Sequence, residues 1–321
     1  MKRFPLTVLT AALAVVPLLA QAQAFPEKPI TFVVPFAAGT ATDQIARALG
    51  TQITAETKQA VVIDNKAGAS GFIASQSVAK APADGYTVLI TTNTTHAANE
   101  HLFKKLPYDP VKDFAPVAAL GKGGQIMVVN PSFPAKSVAE FIALAKKEPG
   151  KYSFGSGSSS SRMAGELLQQ MADIKLLHVP YKSNTLAVTD LLGGQINMMI
   201  TDTATGLPQV KAGKLRALGF SSSTRSALAP DVPTIAEAGV KGYEMGYWFA
   251  AYAPAKTPPA VVKRLNELLV KAAKSEAAKT AFYEPTGTEV FTSSPEELAK
   301  FQAGESQKWG RIVKAAGIEA E

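Results

Sequence analysis

Two short stretches of this 321-residue chain put glycine and small hydroxyl residues directly in front of a helical pattern, an arrangement suited to holding an anion. The first is Phe36-Ala37-Ala38-Gly39-Thr40, which follows an apolar β-branched run at 30–34 and leads into an amphipathic run bearing Ile45, Ala46 and Leu49. The second, 155–161, contains only Gly and Ser and runs into Arg162. A strand, a tight loop and a helix start point backbone N–H groups and the positive end of a helix dipole at one spot. In the second stretch Ser156, Gly157, Ser158, Ser159 and Ser160 add donors, and Arg162 offers a bidentate, charge-assisted contact. The strand at 86–91 exits into small polar residues, with Thr94, Thr95 and His96 as further candidates, and Tyr181 and Asp202 also follow strands. Each feature has a plainer reading. The first loop could be an ordinary strand-to-helix turn, the serines a flexible linker and Arg162 a solvated helix residue. Tyr181 and Asp202 could be a core edge and a helix cap. Phe36, Tyr247, Trp248 and Phe249 could pack on a ligand ring, or simply build the core or hinge.

Motifs for covalent chemistry are thin. There is no G-x-S-x-G elbow, P-loop or G-x-G-x-x-G fingerprint. His96 and His101 lie five apart, off the spacing that puts two metal ligands on one helix face. Ser158, His178 and Asp202 could assemble as a triad only through the fold. The reading is therefore a binding protein with no catalytic residues, no metal and no cofactor.

The elements that must position these loops begin after residue 24. Lys2 and Arg3, an apolar stretch at 6–19 and Ala22-Gln23-Ala24 form a signal-peptide pattern, predicting cleavage after Ala24 and export to the periplasm. With no cysteine, stability must come from the core alone. Losing Lys2 and Arg3 lowers the formal charge of +7 by two, and the remaining cations are scattered without interleaved aromatics, so nucleic acid is not an expected partner.

Strands at 30–34, 60–63 and 86–91, each followed by a loop and a helix, predict a doubly wound α/β unit with ligands beyond the carboxyl ends of its strands. Strands at 114–120 and 125–129 with glycines between them mark a crossing. The pattern then restarts with strands at 152–154, 176–179, 196–200 and 215–219. An aromatic strand at 243–252 and two C-terminal helices, starting at Pro258-Pro259 and Ser294, return to the first unit. The expected fold is two doubly wound α/β lobes joined by a hinge with a cleft between them. The first lobe comprises 25–123 and 247–321, and the second comprises 124–246.

Eight blocks in order carry a family resemblance: K-P-I-T-F-V-V-P-F at 28–36, D-N-K-A-G-A-S-G at 64–71, A-D-G-Y-T at 83–87, K-K-L-P-Y-D-P-V-K-D-F-A-P-V at 104–117, H-V-P-Y-K at 178–182, D-L-L-G-G-Q-I at 190–196, K-A-G-K-L-R-A-L at 211–218 and P-D-V-P-T-I-A-E-A-G at 230–239. The chain resembles the Bug (TctC-like) solute-binding proteins of tripartite tricarboxylate transport systems. The resemblance implies a type II periplasmic binding protein that captures a small carboxylate and delivers it to a membrane permease pair. A sensor kinase is a further partner to consider. In the family the first loop usually reads P-F-A-P-G-G. Here Ala38 and Thr40 replace the Pro and the second Gly, and Arg162 lies near where His is frequent. An added hydroxyl and an added cation point to a second anionic group, a dicarboxylate that is aliphatic or terephthalate-like. The alternative reading is an exported hydrolase or a ligand-responsive sensor partner on the same fold.

Overall fold

The computed structural model describes residues 25–315 and 317–320; the expected signal peptide lies outside the described residues. The chain begins with three parallel strands, β1 (Ile30–Val34), β2 (Val61–Asn65) and β3 (Thr87–Thr92), interleaved with helices α1 (Ala41–Thr57) and α2 (Phe72–Ala79). β1 is almost wholly buried, as its mostly apolar, largely β-branched run requires of a strand covered on both faces. A π-helical turn, Thr94–Ala98, leads into the short α3 (Asn99–Leu102). The chain then enters β4 (Phe114–Val129), which runs unbroken for 16 residues where sequence reading expects two strands. The glycines at 121, 123 and 124 do not interrupt it. Backbone hydrogen bonds to a partner strand hold them in extended form.

The second half of the fold follows with α4 (Val138–Lys147), β5 (Ser153–Ser156), α5 (Ser159–Ala172), β6 (Leu177–Pro180), α6 (Asn184–Leu192), β7 (Met198–Asp202), α7 (Thr203–Lys211) and β8 (Arg216–Phe220). β9 (Gly246–Pro254) then carries the chain back. The C-terminal elements are α8 (Pro259–Lys274), α9 (Glu276–Ala278), a π-helical turn at Lys279–Tyr283, α10 (Glu284–Thr286) and α11 (Pro295–Ala315).

β4 joins two sheets. Its first part, through Gly124, pairs antiparallel with β9, giving the order β2-β1-β3-β9-β4. Its last five residues, from Gln125, lie between β7 and β8 in the second sheet, which continues through β5 to β6. The two lobes are thus strung on one continuous strand and on the return into β9. In the first lobe α1 and α8 pack together: Ile45, Leu49 and Ile53 meet Val262, Leu265 and Leu269 in one buried cluster with β1. The i, i+3, i+7 spacing of the α8 residues makes that face. In the second lobe α6 and α7 cover Ile126 and Val128 of β4. On the other side of the strand, Met127 and Val129 join a core with Phe141, Phe154 and Met163. Among the described residues no helix is long and apolar enough to cross a membrane.

Candidate functional site

β1 delivers the chain through Pro35 and Phe36 into the start of α1. Gly39 turns with a left-handed φ of +81°, and Asp43, one turn on, buckles the loop. Its Oδ2 accepts from Gly39 N at 2.9 Å and from Arg47 Nε at 3.0 Å, and its Oδ1 accepts from Asn65 Nδ2 at 3.0 Å. Burial opposes the charge on Asp43, but the bonds from Arg47, Gly39 and Asn65 outweigh it and hold its carboxyl below the usual range. Thr40, the N-cap of α1, makes no side-chain cap. Its hydroxyl donates backward to Ala37 O at 2.8 Å. The first N–H groups of this 17-residue helix therefore have no capping side chain of their own, and Ala41 and Thr42 face the cleft.

The second lobe presents three more helix starts, tied to one another. Gly157 N donates to Asn184 Oδ1 at 3.0 Å, and Asn184 Nδ2 donates to Asp202 Oδ2 at 2.9 Å. Asp202 caps α7, its Oδ1 accepting from Thr205 N at 2.8 Å and Thr205 Oγ1 at 2.7 Å. Ser158 caps α5, accepting from Ser161 N at 3.2 Å, and lies 3.1 Å from the Ser160 hydroxyl. Only glycine fits at 157, because a Cβ there would collide with the backbone of Ser183 and Asn184. That close approach lets the starts of α5 and α6 lie side by side.

Between the lobes these groups enclose a small inner cavity of about 30 Å³. Phe36, Thr40, Ala41, Thr42 and Thr92 line it from the first lobe, and Gly157, Ser158, Ser160, Asn184 and Asp202 from the second. Gln125, Tyr247 and Phe249 come from the crossing strands. Among the described residues no lysine or arginine lines this space. Phe36, Gly157 and Ser158 also border an outer cavity of about 300 Å³, where Ser156, Ser159, Arg162, His178, Tyr181 and Lys182 stand. The two cavities form one cleft, its inner end lined by hydrogen-bonding groups and the already paired Asp202 carboxylate, its outer end carrying Arg162 and Lys182.

The candidate residues from the sequence separate accordingly. Phe36, Thr40, Gly157, Ser158, Ser160 and Asp202 border the inner cavity, and Ser156, Ser159, Arg162 and Tyr181 the outer one. Arg162 lies 3.8 Å from Glu166, one turn along α5. Ala37, Ala38 and Gly39 line neither space: Ala38 and Gly39 are exposed, and the Gly39 N–H is bound to Asp43. Thr94, Thr95 and His96 are also off the cleft, because the polar exit of β3 coils into a buried π-turn rather than an open loop. Thr95 Oγ1 bonds Thr91 Oγ1 at 2.6 Å and His96 Nδ1 at 2.8 Å. The His96 ring stacks on Tyr252 with centroids 3.8 Å apart and meets Phe114 edge-on. Burial pushes His96 down to about 3. Of the aromatic trio, Tyr247 and Phe249 face the cleft, while Trp248, on the opposite side of β9, donates to Glu305 at 3.1 Å.

Among the residues lining the inner cavity, sequence reading missed Ala41, Thr42, Thr92, Gln125 and Asn184. Gln125 had a signal: it is the one polar residue of β4's buried final segment. The serine–histidine–aspartate triad does not form, since His178 Nε2 bonds Ser156 Oγ at 2.7 Å and Asp202 is engaged with Asn184 and Thr205. Among the described residues no His, Asp or Glu cluster is placed to hold a metal ion.

Comparison with known proteins agrees with this architecture. The profile of the tripartite tricarboxylate transporter family receptor (TctC) matches residues 45–318. BugT of Bordetella pertussis is 35% identical, with 93% of this chain and 92% of that protein covered. Among solved structures, Rpa4515 of R. palustris with adipate superposes with a TM-score of 0.89 at 34% identity, covering 92% of this chain and all of that one. MatC of Rhodopseudomonas palustris with bound malate gives 0.86 at 31% identity, covering 90% of this chain and all of that one. These relatives are solute-binding receptors, not enzymes, and their fold is the two-lobed periplasmic binding protein fold. The chain belongs to the TctC (Bug) family of periplasmic solute receptors.

Proposed function

We propose that this receptor closes over a small dicarboxylate and passes it to a tripartite tricarboxylate-type membrane permease. The observation that carries the reading is the convergence of four helix starts on one cation-free cavity, with α1 lacking a side-chain cap. Converging N–H dipoles hold a carboxylate without a counter-ion. The cationic outer cavity, with Arg162 and Lys182, receives the second carboxylate. Adipate and malate in two relatives support this class. An aromatic diacid such as terephthalate is the second reading, favoured by the rings of Phe36, Tyr247 and Phe249 around the inner cavity.

The hinge in this proposal lies where β4 changes partners, at Gly124 and Gln125, and where β9 begins at Gly246. The lobes are then 25–123 with 247–321, and 124–246. Cleavage after Ala24 and release into the periplasm complete the proposal.

Thermal melting of the processed chain against acetate, succinate, malate, adipate and terephthalate tests it. A ligand at 100 times its dissociation constant adds about 2.7 kcal/mol of stability. Diacids should raise the melting temperature at concentrations where acetate does not. If no diacid stabilises the protein, the proposal fails.

A further inference from the structure

The side chain of Gln125 is only 1% exposed, borders the inner cavity, and its Oε1 finds no hydrogen-bond partner among the described residues. A buried carbonyl left unpaired is unfavourable, and such exceptions call for an explanation. The position is held firmly. Gln125 N donates to Ser221 Oγ at 2.6 Å, Ser221 N donates back to Gln125 O at 2.8 Å, and the residue sits opposite Asp202 in the β4–β7 ladder. The four residues that follow are all buried and apolar, so a side chain of that kind would have extended the core.

Three other polar side chains of the cavity are already matched. Both oxygens of Asp202 accept hydrogen bonds from Asn184 and Thr205, Asn184 Oδ1 accepts from Gly157, and the Thr40 hydroxyl donates to Ala37. The start of α1 and the serines at 158 and 160 supply donors for a carboxylate. An acceptor is the complementary element. We infer that Gln125 reads a hydrogen-bond donor on the ligand close to its carboxylate, so the ligand is a hydroxyl- or ammonium-substituted acid rather than a plain diacid. The small inner cavity keeps that donor near the carboxylate bound at α1. Turning the amide over would present Nε2 instead, a donor to the carboxylate itself, and the two arrangements predict different ligand preferences.

This inference rests on the carboxylate-receptor reading. Calorimetric titration of the processed wild-type chain and of Gln125→Met with L-malate, D-malate, L-aspartate and succinate separates the two. Wild type should bind a substituted acid about tenfold or more tighter than succinate, the size expected when a buried acceptor gains its partner. Gln125→Met should abolish that preference, bringing the affinities for the substituted acids down to that for succinate. Malate against aspartate identifies the donor as hydroxyl or ammonium. If the Met variant melts early, Gln125→Glu, which keeps an acceptor, should retain a preference for the substituted acid that wild type favours over succinate. Equal binding of all four acids by wild type, or a uniform loss in the Met variant, overturns the role of Gln125 and leaves the receptor reading standing. If neither these acids nor longer diacids bind, both fall.

Discussion

Ser159 Oγ donates to Asn99 Oδ1 at 2.8 Å, and this buried bond joins the first turn of α5 in one lobe to α3 in the other. Asn99 is itself fixed, because its Nδ2 donates to Ser70 O at 2.9 Å and to the Tyr108 hydroxyl at 3.2 Å. Tyr108 in turn donates to Thr95 O at 2.9 Å. The bond therefore ties one anchored lobe to the serine loop of the other, at the border of the outer cavity.

Ser159→Ala should weaken the closed state without disturbing either lobe. One net hydrogen bond contributes about 0.5–1.5 kcal/mol, so ligand affinity should fall roughly 2- to 12-fold. Small-angle scattering should show a larger radius of gyration at subsaturating ligand. Unchanged affinity and shape would mean that this bond does not latch the cleft.

Asn184 joins the starts of α5, α6 and α7 by accepting from Gly157 N and donating to Asp202. Asn184→Ala leaves the buried Gly157 N–H unpaired and leaves Asp202 Oδ2 with only the long 3.4 Å bond from Thr201 Oγ1. Each lost partner costs about 1–3 kcal/mol. Urea unfolding should therefore show a loss of at least about 1 kcal/mol, accompanied by weaker ligand binding. Loss of binding with unchanged stability would assign Asn184 to the ligand alone.

Much of this geometry was legible in the sequence, and the reasons it stopped being legible are specific. The β-branched run at 30–34 and the Gly/Ser loop at 155–161 announced two strand-to-helix turns, because the backbone chemistry of such turns is local. The helix after the second loop begins at Ser159, three residues before Arg162, because Ser158 caps it. Nothing local separates Thr92, which faces the cleft, from Thr94 and Thr95, which do not. The distinction arises from a π-turn packed under α11 and against Tyr252. Gln125 and Asn184 acquire their roles only when β4, β7 and the loop before α6 meet, a relationship between residues far apart in the chain.

His96 gives the fold an acid-sensitive point. Burial depresses its folded value to about 3 from an ordinary 6.5, so the unfolded chain binds the proton more readily. Its contribution to stability is complete above about pH 6.5 and is lost as the pH falls toward 3, at up to about 1.4 kcal/mol per pH unit. His96→Phe keeps a ring against Tyr252 and removes the titrating group. Urea midpoints at pH 7, 5.5 and 4.5 should fall less steeply in the variant than in wild type. Parallel profiles would show that other groups govern the acid response.

Tyr247 bears on closure from the opposite side. Its hydroxyl lies 3.1 Å from Thr203 Oγ1 at the start of α7 and 3.0 Å from Thr288 Oγ1 in the C-terminal segment. Burial pushes the phenol up to about 12, so it keeps its proton and remains a donor at any working pH. The ring packs over Gly123, where an added Cβ would come within 2.5 Å of the hydroxyl. Thr203 follows Asp202 directly, so Tyr247 connects the cap of α7 to the crossing strands. Tyr247→Phe keeps the ring in the cavity wall but leaves two buried threonines without this partner. Stability should drop by about 1–3 kcal/mol, and ligand should bind more weakly because α7 is less firmly set. Gly123→Ala, which displaces the hydroxyl instead of deleting it, should lower affinity in the same direction. Normal binding by both variants would remove Tyr247 from the closing mechanism and leave it a wall of the cavity only.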